Sequence, residues 1–354
     1  MDWRFQLENI TTMKNIITVL LLLVALCAKS QDIHFSHIHA SPTVLNPAMT
    51  GLFEGDLRLI GNYRSQWNNF TNGYKTVAGS VDAKLFPLSR TDFIGGGIQL
   101  YKDVAGDLDF TTTFGAISLS VLKALDARGT NFISFGMQGA LMSNSVDYSK
   151  IVAFDNEPLI LGGAPDRIQY ADFSAGLGWF YAFNRYNTMY LGGALAHINE
   201  PKVSFFRDKN DNSEIFKYRS WTVHGGAEIF LTDNASLKPN FVFKDQGPHR
   251  EILVGTFWKY KKLRSQLRRP ATLYFGGWLR WYLENDVRGK DAFIFAIRLD
   301  YKQVFMTLSF DANISSLRRV SAGNGGPELS IIKIFDFGRD YRRSSQIQCP
   351  AFSY

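Results

Sequence analysis

The sequence predicts an all-β fold: a transmembrane antiparallel β-barrel of about fourteen strands, preceded by an export signal and a short N-terminal lead-in. Three observations lead there. The first is a period of two. Leu273, Phe275, Gly277, Leu279, Trp281 and Leu283 alternate with Thr272, Tyr274, Gly276, Trp278, Arg280 and Tyr282, and an extended chain places alternate residues on opposite faces. Val77 to Leu85 and Val304 to Phe310 repeat the pattern. The second is the length of the apolar run Ile16 to Ala28, which is shorter than the roughly twenty residues a membrane-crossing helix needs. The third is composition: 29 Phe, 15 Tyr, 7 Trp and 30 Gly with only 45% apolar residues suit a wall with one face in lipid and one in water.

In chain order, Lys14 precedes that apolar run and Lys29, Ser30 and Gln31 follow it, the layout of a secretory signal. Residues 1–30 are therefore expected to be a signal peptide cleaved near Ser30–Gln31, with Met13 as the more ordinary start. Cleavage would remove Cys27 and leave Cys349 alone, so no intrachain disulfide is expected. Residues 31–56, with Pro42 and Pro47 and no clean alternation, read as a lead-in or plug.

Strand candidates then fall near 57–66, 75–86, 92–104, 109–123, 130–143, 170–183, 187–198, 218–231, 235–245, 248–260, 271–283, 291–301, 303–313 and 327–337. Their even number fits a single-chain bacterial barrel over 57–337, followed by a tail over 338–354. Tight turns are expected at Thr232–Ala235 and Tyr301–Gln303, and longer links at 144–169, 199–217 and 261–270, with short turns on one rim and long loops on the other. A soluble sandwich would also alternate. However, the outward faces here carry Tyr, Phe and Trp, and the segments exceed the usual globular strand of about five or six residues.

The net charge of +7 is scattered, apart from Lys261, Lys262, Arg264, Arg268 and Arg269. No stacking platform accompanies that run, so it reads as a solvated loop facing lipopolysaccharide or a protein, and nucleic acid is not an expected partner. His34, His37 and His39 could ligate zinc or copper if folded together, but on an extended stretch His34 points away from the other two. His197 and His224 fall on expected strands, facing the lumen, with no serine that can be placed beside them as a nucleophile. Gly95-Gly96-Gly97 lies within a strand, where it relieves crowding at a bend or beneath a plug rather than cradling phosphate. No catalytic constellation, metal site or cofactor is expected. Phe305, Tyr274 and Phe230 suggest a filled lumen.

The most distinctive stretch is the lead-in and first strand: Gln31-Asp32, Phe35-Ser36, Leu45-Asn46-Pro47-Ala48, Gly51 and Tyr63-Arg64-Ser65-Gln66-Trp67. These residues resemble the opening of the PorP/SprF family, outer-membrane proteins of the type IX secretion and gliding-motility systems of Bacteroidetes. Looser agreement continues through Tyr190-Leu191-Gly192, His197 to Pro201, His224-Gly225-Gly226 and the strand before Phe337. Two features depart from the pattern: the histidines at 34, 37 and 39, and the long tail after Phe337.

The resemblance implies a non-enzymatic outer-membrane accessory barrel. Such a protein receives, retains or displays secreted and surface proteins, or links the translocon to the periplasmic ring. Its implied partners are membrane lipid and lipopolysaccharide, type IX secretion components and the C-terminal domains of secreted substrates. The alternatives are an outer-membrane diffusion or uptake channel and, with no constellation to support it, a barrel enzyme. Candidate residues for seating the lead-in or meeting a partner are Phe35, Asn46, Pro47, Ala48, Gly51, Tyr63, Arg64, Gln66 and Trp67. Locally, Pro47 fixes its own φ and biases Asn46 toward an extended conformation, and Gly51 permits a turn.

Overall fold

The computed structural model describes residues 35–36, 41–66, 73–89, 91–150, 166–205, 215–263, 271–284, 287–315 and 324–338. The expected signal peptide, His34, His37, His39, Trp67, the basic residues beyond 263 and the end of the tail lie outside the described residues. Fourteen strands form one closed antiparallel barrel in which each strand pairs with its sequence neighbours and β1 closes on β14. They are β1 (Leu57–Gln66), β2 (Tyr74–Pro87), β3 (Phe93–Ala105), β4 (Phe110–Ala124), β5 (Asn131–Ser145), β6 (Arg167–Ala182) and β7 (Thr188–Ala196). The second half is β8 (Ser220–Thr232), β9 (Ala235–Gln246), β10 (His249–Leu263), β11 (Ala271–Glu284), β12 (Val287–Tyr301), β13 (Val304–Asn313) and β14 (Asn324–Phe335). Among the described residues no helix is long and apolar enough to cross a membrane; this wall crosses with strands.

Alternation sets the two faces as expected. On β11 Phe275 points outward at 51% exposure, while Tyr274, Trp278 and Arg280 are buried in the lumen. On β13 Met306, Leu308 and Phe310 face out and Thr307, Ser309 and Asp311 face in. Exposed apolar residues form the outer belt, as lipid demands, while the lumen face mixes polar residues with buried apolar ones.

Turn chemistry follows local sequence. Thr232 pairs with Ala235 across Asp233-Asn234. Tyr301 pairs with Val304 across Lys302 and Gln303, both at positive φ as a primed hairpin turn requires. In the turn after β4, Asp126 accepts from the Thr130 hydroxyl and from the backbone N–H groups of Thr130 and Asn131. Those bonds, that of the Thr130 hydroxyl foremost, hold its carboxyl below the usual range.

Three expectations need correction. The links after β5 and β7 leave from one rim, as the length pattern suggests, but the link between Leu263 and Ala271 leaves from the opposite rim, among the short turns. Strand parity decides this: a connection after an even-numbered strand returns to the rim where β1 begins. His197 is not on a strand, because β7 ends at Ala196 and His197 takes a left-handed φ of 57°. Phe230 does not fill the lumen; it stands at the short-turn rim, 37% exposed, with its ring 4.9 Å from that of Tyr186. Phe305 and Tyr274 do point inward, one on either side of the Arg298 guanidinium.

Depth in the membrane supplies a test. Ile117 lies mid-strand on the outer face of β4 and Leu125 lies in the turn that follows it, both exposed. Ile117→Arg should cost roughly 2–4 kcal/mol of folding stability in lipid vesicles and Leu125→Arg about 0–1 kcal/mol. Denaturant titration of the two variants measures the difference; equal costs would exclude a bilayer around β4. On the lumen face, by contrast, even a small substitution meets the packed interior: a Cβ at Gly276 would lie 2.4 Å from the Trp278 ring.

Candidate functional site

The lumen is occupied by the lead-in. Pro42 opens a single helical turn, α1 (Pro42–Leu45), and Pro47 opens a 3-10 turn over Pro47–Met49. Between them Asn46 is extended (φ −157°, ψ 119°), as a residue before proline prefers. Gly51 then turns the chain at φ 74°, a conformation that excludes most side chains. At the short-turn rim the Asp56 N–H donates to the Phe335 carbonyl, and the Asp56 side chain accepts from the Phe337 N–H. The other described end, Ser36, lies deep in the barrel, where its N–H donates to Glu328 of β14 (2.8 Å). Glu328 pairs in register with Arg64, close to the long-loop end of β1. The segment therefore runs much of the length of the lumen before it enters the wall.

Several polar groups of this segment meet partners on the wall. Ser41 accepts from the Asn62 amide of β1 (2.7 Å), and the Thr43 hydroxyl donates to Gln99 of β3 (3.1 Å). Thr50 donates to Ser118 and its carbonyl accepts from Ser120, both on β4. The Gly51 N–H donates to Asp82 of β2 (2.7 Å). Asp82 also holds Arg58 in a fully buried pair at 2.6 Å, while Arg58 reaches the Met49 carbonyl and stacks over Phe53 (4.8 Å). One carboxylate thus ties β1, β2 and the lead-in together.

Asn46 is fully enclosed, at 0% exposure. Its carbonyl oxygen accepts from the Ala48 N–H (2.9 Å). Its amide nitrogen lies 2.9 Å from the Leu177 carbonyl, 3.2 Å from that of Gly193 and 3.0 Å from Nε2 of His224. With the amide donating, the imidazole nitrogen it faces acts as an acceptor. Asn46 therefore bridges three consecutive strands, β6, β7 and β8. It can do so because glycines lie beneath it on the wall. A Cβ on Gly176 would lie 1.9 Å from the Asn46 carbonyl oxygen, and one on Gly136 would lie 2.4 Å from the backbone of Pro47 and Ala48. Gly95 and Gly97 serve Thr50 in the same way, so two of the three glycines in that run lie beneath the plug.

Below this polar layer Met49, Leu52 and Phe53 fill the short-turn end against Ile60, Phe93, Leu122, Phe132, Phe180, Ile332 and Ile334. Full burial of side chains of this kind contributes about 1.5–3 kcal/mol each. The opposite side of the lumen is filled by the wall itself. Trp278 lies over Gly255 and Gly276, packs edge-on against Phe257 (4.7 Å) and donates to Asn240 (2.8 Å). Leu45 touches both apolar clusters. Towards the long-loop end Arg64 pairs with Asp311 (3.0 Å) and Glu328 (3.6 Å), and Arg280 pairs with Asp311 (3.0 Å) and Asp291 (2.6 Å). The link after β7 leans inward at that mouth: Phe205 meets Phe110 edge-on, and the Lys217 ammonium lies 3.7 Å from the Met142 sulfur.

Of the residues singled out from sequence, Asn46, Pro47, Ala48 and Gly51 come together on the plug, and Arg64 lies on the wall beside its upstream end. Phe35 is half-buried next to Ser36. Gln66 packs against Gly326 at the β1–β14 seam. Tyr63 departs from the group: it points outward at 46% exposure, because odd-numbered positions of β1 face away from the lumen. Trp67 lies outside the described residues. Asp82, Gly136 and Gly176, which seat Gly51, Pro47–Ala48 and Asn46, were missed, and His224, expected to face the lumen, was not linked to Asn46. Their only signal was a small or polar residue at a lumen position, and many lumen positions carry one.

The fold and this site define an outer-membrane-type β-barrel whose lumen is plugged by its own N-terminal segment. The model of the PorP/SprF type IX secretion system membrane proteins matches residues 27–331, and the chain belongs to that family. No curated protein matches it. Among solved structures it is similar to CdiB from Acinetobacter baumannii (9% identity, TM-score 0.42, 78% of this chain and 60% of that one), so it spans less than two thirds of that protein. It is similar also to the CymD monoaromatic hydrocarbon channel (10%, TM-score 0.48, 84% and 94%) and to the toluene transporter TbuX from Ralstonia pickettii (11%, TM-score 0.41, 84% and 94%). Likeness at this level carries no functional weight.

Two substitutions test the seat. Asp82→Ala leaves the Arg58 guanidinium buried without its counter-charge, and should cost about 3–5 kcal/mol in equilibrium unfolding. Asn46→Ala leaves His224 Nε2 and the Ala48 N–H without their partner, and should cost about 1–3 kcal/mol. Hydrogen exchange should accelerate over 41–56 in the second variant while the strands stay protected; unchanged exchange there would mean that Asn46 does not hold the plug.

Proposed function

We propose that this protein is a non-enzymatic accessory component of the type IX secretion system in the outer membrane, one that receives, retains or displays secreted and surface proteins. A link between the translocon and the periplasmic ring belongs to the same reading. The supporting observation is the seated lead-in. The stretch that carries the family resemblance is the one that fills the lumen, lying on wall glycines where a Cβ would clash with it. A barrel whose interior is packed by Met49, Leu52, Phe53 and Trp278 acts through its ends rather than through flow along its axis.

Short periplasmic turns and longer extracellular loops are usual for such barrels. On that basis the rim of the links after β5 and β7 faces the cell surface, and the rim holding Leu263 and Ala271 faces the periplasm. The basic stretch beginning at Lys261 then suits a periplasmic protein better than lipopolysaccharide. The proposed partners are type IX components at the periplasmic rim and C-terminal domains of secreted substrates at the outer one.

Deleting residues 31–50 tests the reading. Every ladder hydrogen bond begins at Leu57 or later, so the truncated barrel should reach the outer membrane in normal amount and still shift its gel mobility on heating. Surface proteins that the whole-gene deletion removes should be lost or mislocalised in the truncation as well. Normal surface display together with raised permeability to small solutes would place the chain among the channels instead.

A further inference from the structure

The barrel wall has a step in it. The β5–β6 ladder continues to Ser145↔Arg167, but the β6–β7 ladder stops at Ala175↔Leu195 because β7 ends at Ala196. The outermost part of β6 is therefore paired on one side only, at the long-loop rim. In an antiparallel strand the N–H and C=O of one residue point to the same side, and those of every second residue join them. Phe173 and Ala171 show which side: the Phe173 carbonyl accepts from Ile198 N–H, Phe173 N–H donates to the Asn199 side chain, and the Asn199 amide donates to the Ala171 carbonyl. Asn199 thus does with its side chain what a neighbouring strand would do with its backbone. Beyond it, among the described residues, the Ala171 N–H and both backbone groups of Gln169 and Arg167 face the same side with no strand alongside.

Two further features define this strip. The outward side chains on it are Arg167, Gln169 and Ala171, all exposed, whereas the apolar belt of β6 starts with Phe173 and Leu177. The strip therefore stands in water above the lipid. Charged side chains stand at this rim: Arg167 lies on the strip with Asp166 before it, and Lys202 and Arg219 lie on the link after β7, with Glu200 paired to Arg219. An open strand edge in water is a template for another chain, and proteins that do not use such an edge usually blunt it.

We propose that the β6 edge from Arg167 to Ala171 is a strand-addition site. Its occupant is an extended segment of a secreted protein that carries acidic side chains at alternate positions. The segment continues the pairing that Asn199 begins, and its carboxylates meet Arg167, Lys202 and Arg219. This rests on the secretion reading above.

Proline supplies the test, because it removes one backbone donor. The Gln169 N–H faces the open side, so Gln169→Pro leaves the β5 ladder intact, as proline on an edge strand does. Three strains are compared by surface proteomics: a whole-gene deletion, Gln169→Pro and Gln169→Ala. The Gln169→Pro barrel should be present at the wild-type level and shift on heating, yet lose from the cell the same surface proteins that the deletion loses. Gln169→Ala should retain them. Adding the purified C-terminal domain of one such protein should then slow amide exchange at Gln169 and Ala171 at least about tenfold, as new backbone hydrogen bonds require. Retention by the Gln169→Pro barrel equal to wild type would overturn the strand site and leave the secretion reading standing. A deletion that changes no surface protein would overturn both. A barrel dimer in detergent that Gln169→Pro dissociates would assign the edge to a second copy of this chain, overturning the proposed occupant.

Discussion

The whole arrangement depends on the closure of β1 against β14. Lipid offers no partner to a backbone N–H or C=O, so a sheet can cross the membrane only if its last strand pairs with its first. Here the seam runs from Leu57↔Phe335 to Arg64↔Glu328. Closure removes the edges within the membrane, but fourteen strands enclose a space too wide for wall side chains alone to fill in contact with one another. That space is what the lead-in and Trp278 occupy.

Filling the lumen from the N-terminus couples the plug to the seam. Asp56 bonds to Phe335 and Phe337, Arg58 to Asp82, and Ser36 to Glu328, so the residues that close the barrel also anchor the segment inside it. The Arg58–Asp82 pair is fully buried. A buried pair of this kind adds little net stability over an apolar substitute, but it is costly to break one partner at a time. Its effect is to fix one arrangement of β1, β2 and Gly51. The glycines do the complementary work: on β3 and β5 they let the lead-in backbone lie directly on the wall, and on β6 Gly176 admits the Asn46 side chain, where a methyl group would hold each off.

The same logic explains why the wall is uneven at its outer rim. β7 is nine residues long beside the sixteen of β6. His197 and Glu200 turn the chain with positive φ, and Asn199 covers part of the exposed edge. Phe205 and Lys217 carry the following link inward toward β4 and β5. A link that folds over the mouth cannot also extend the wall, and the bare end of β6 is the consequence.

Alternation and turn chemistry were enough to read the class of fold, the number of strands and the facing of Phe275, Tyr274, Met306 and Thr307, because each depends on residues within a few positions of one another. The extended Asn46 before Pro47 and the turn at Gly51 were legible for the same reason. Tertiary structure alone decided what those residues touch. Asn46 meets Leu177, Gly193 and His224, which lie more than a hundred positions away, and no local pattern encodes that pairing. The placement of the link after β10 depended on strand parity around a closed circle. That parity is fixed only when every strand is counted and the last one meets the first.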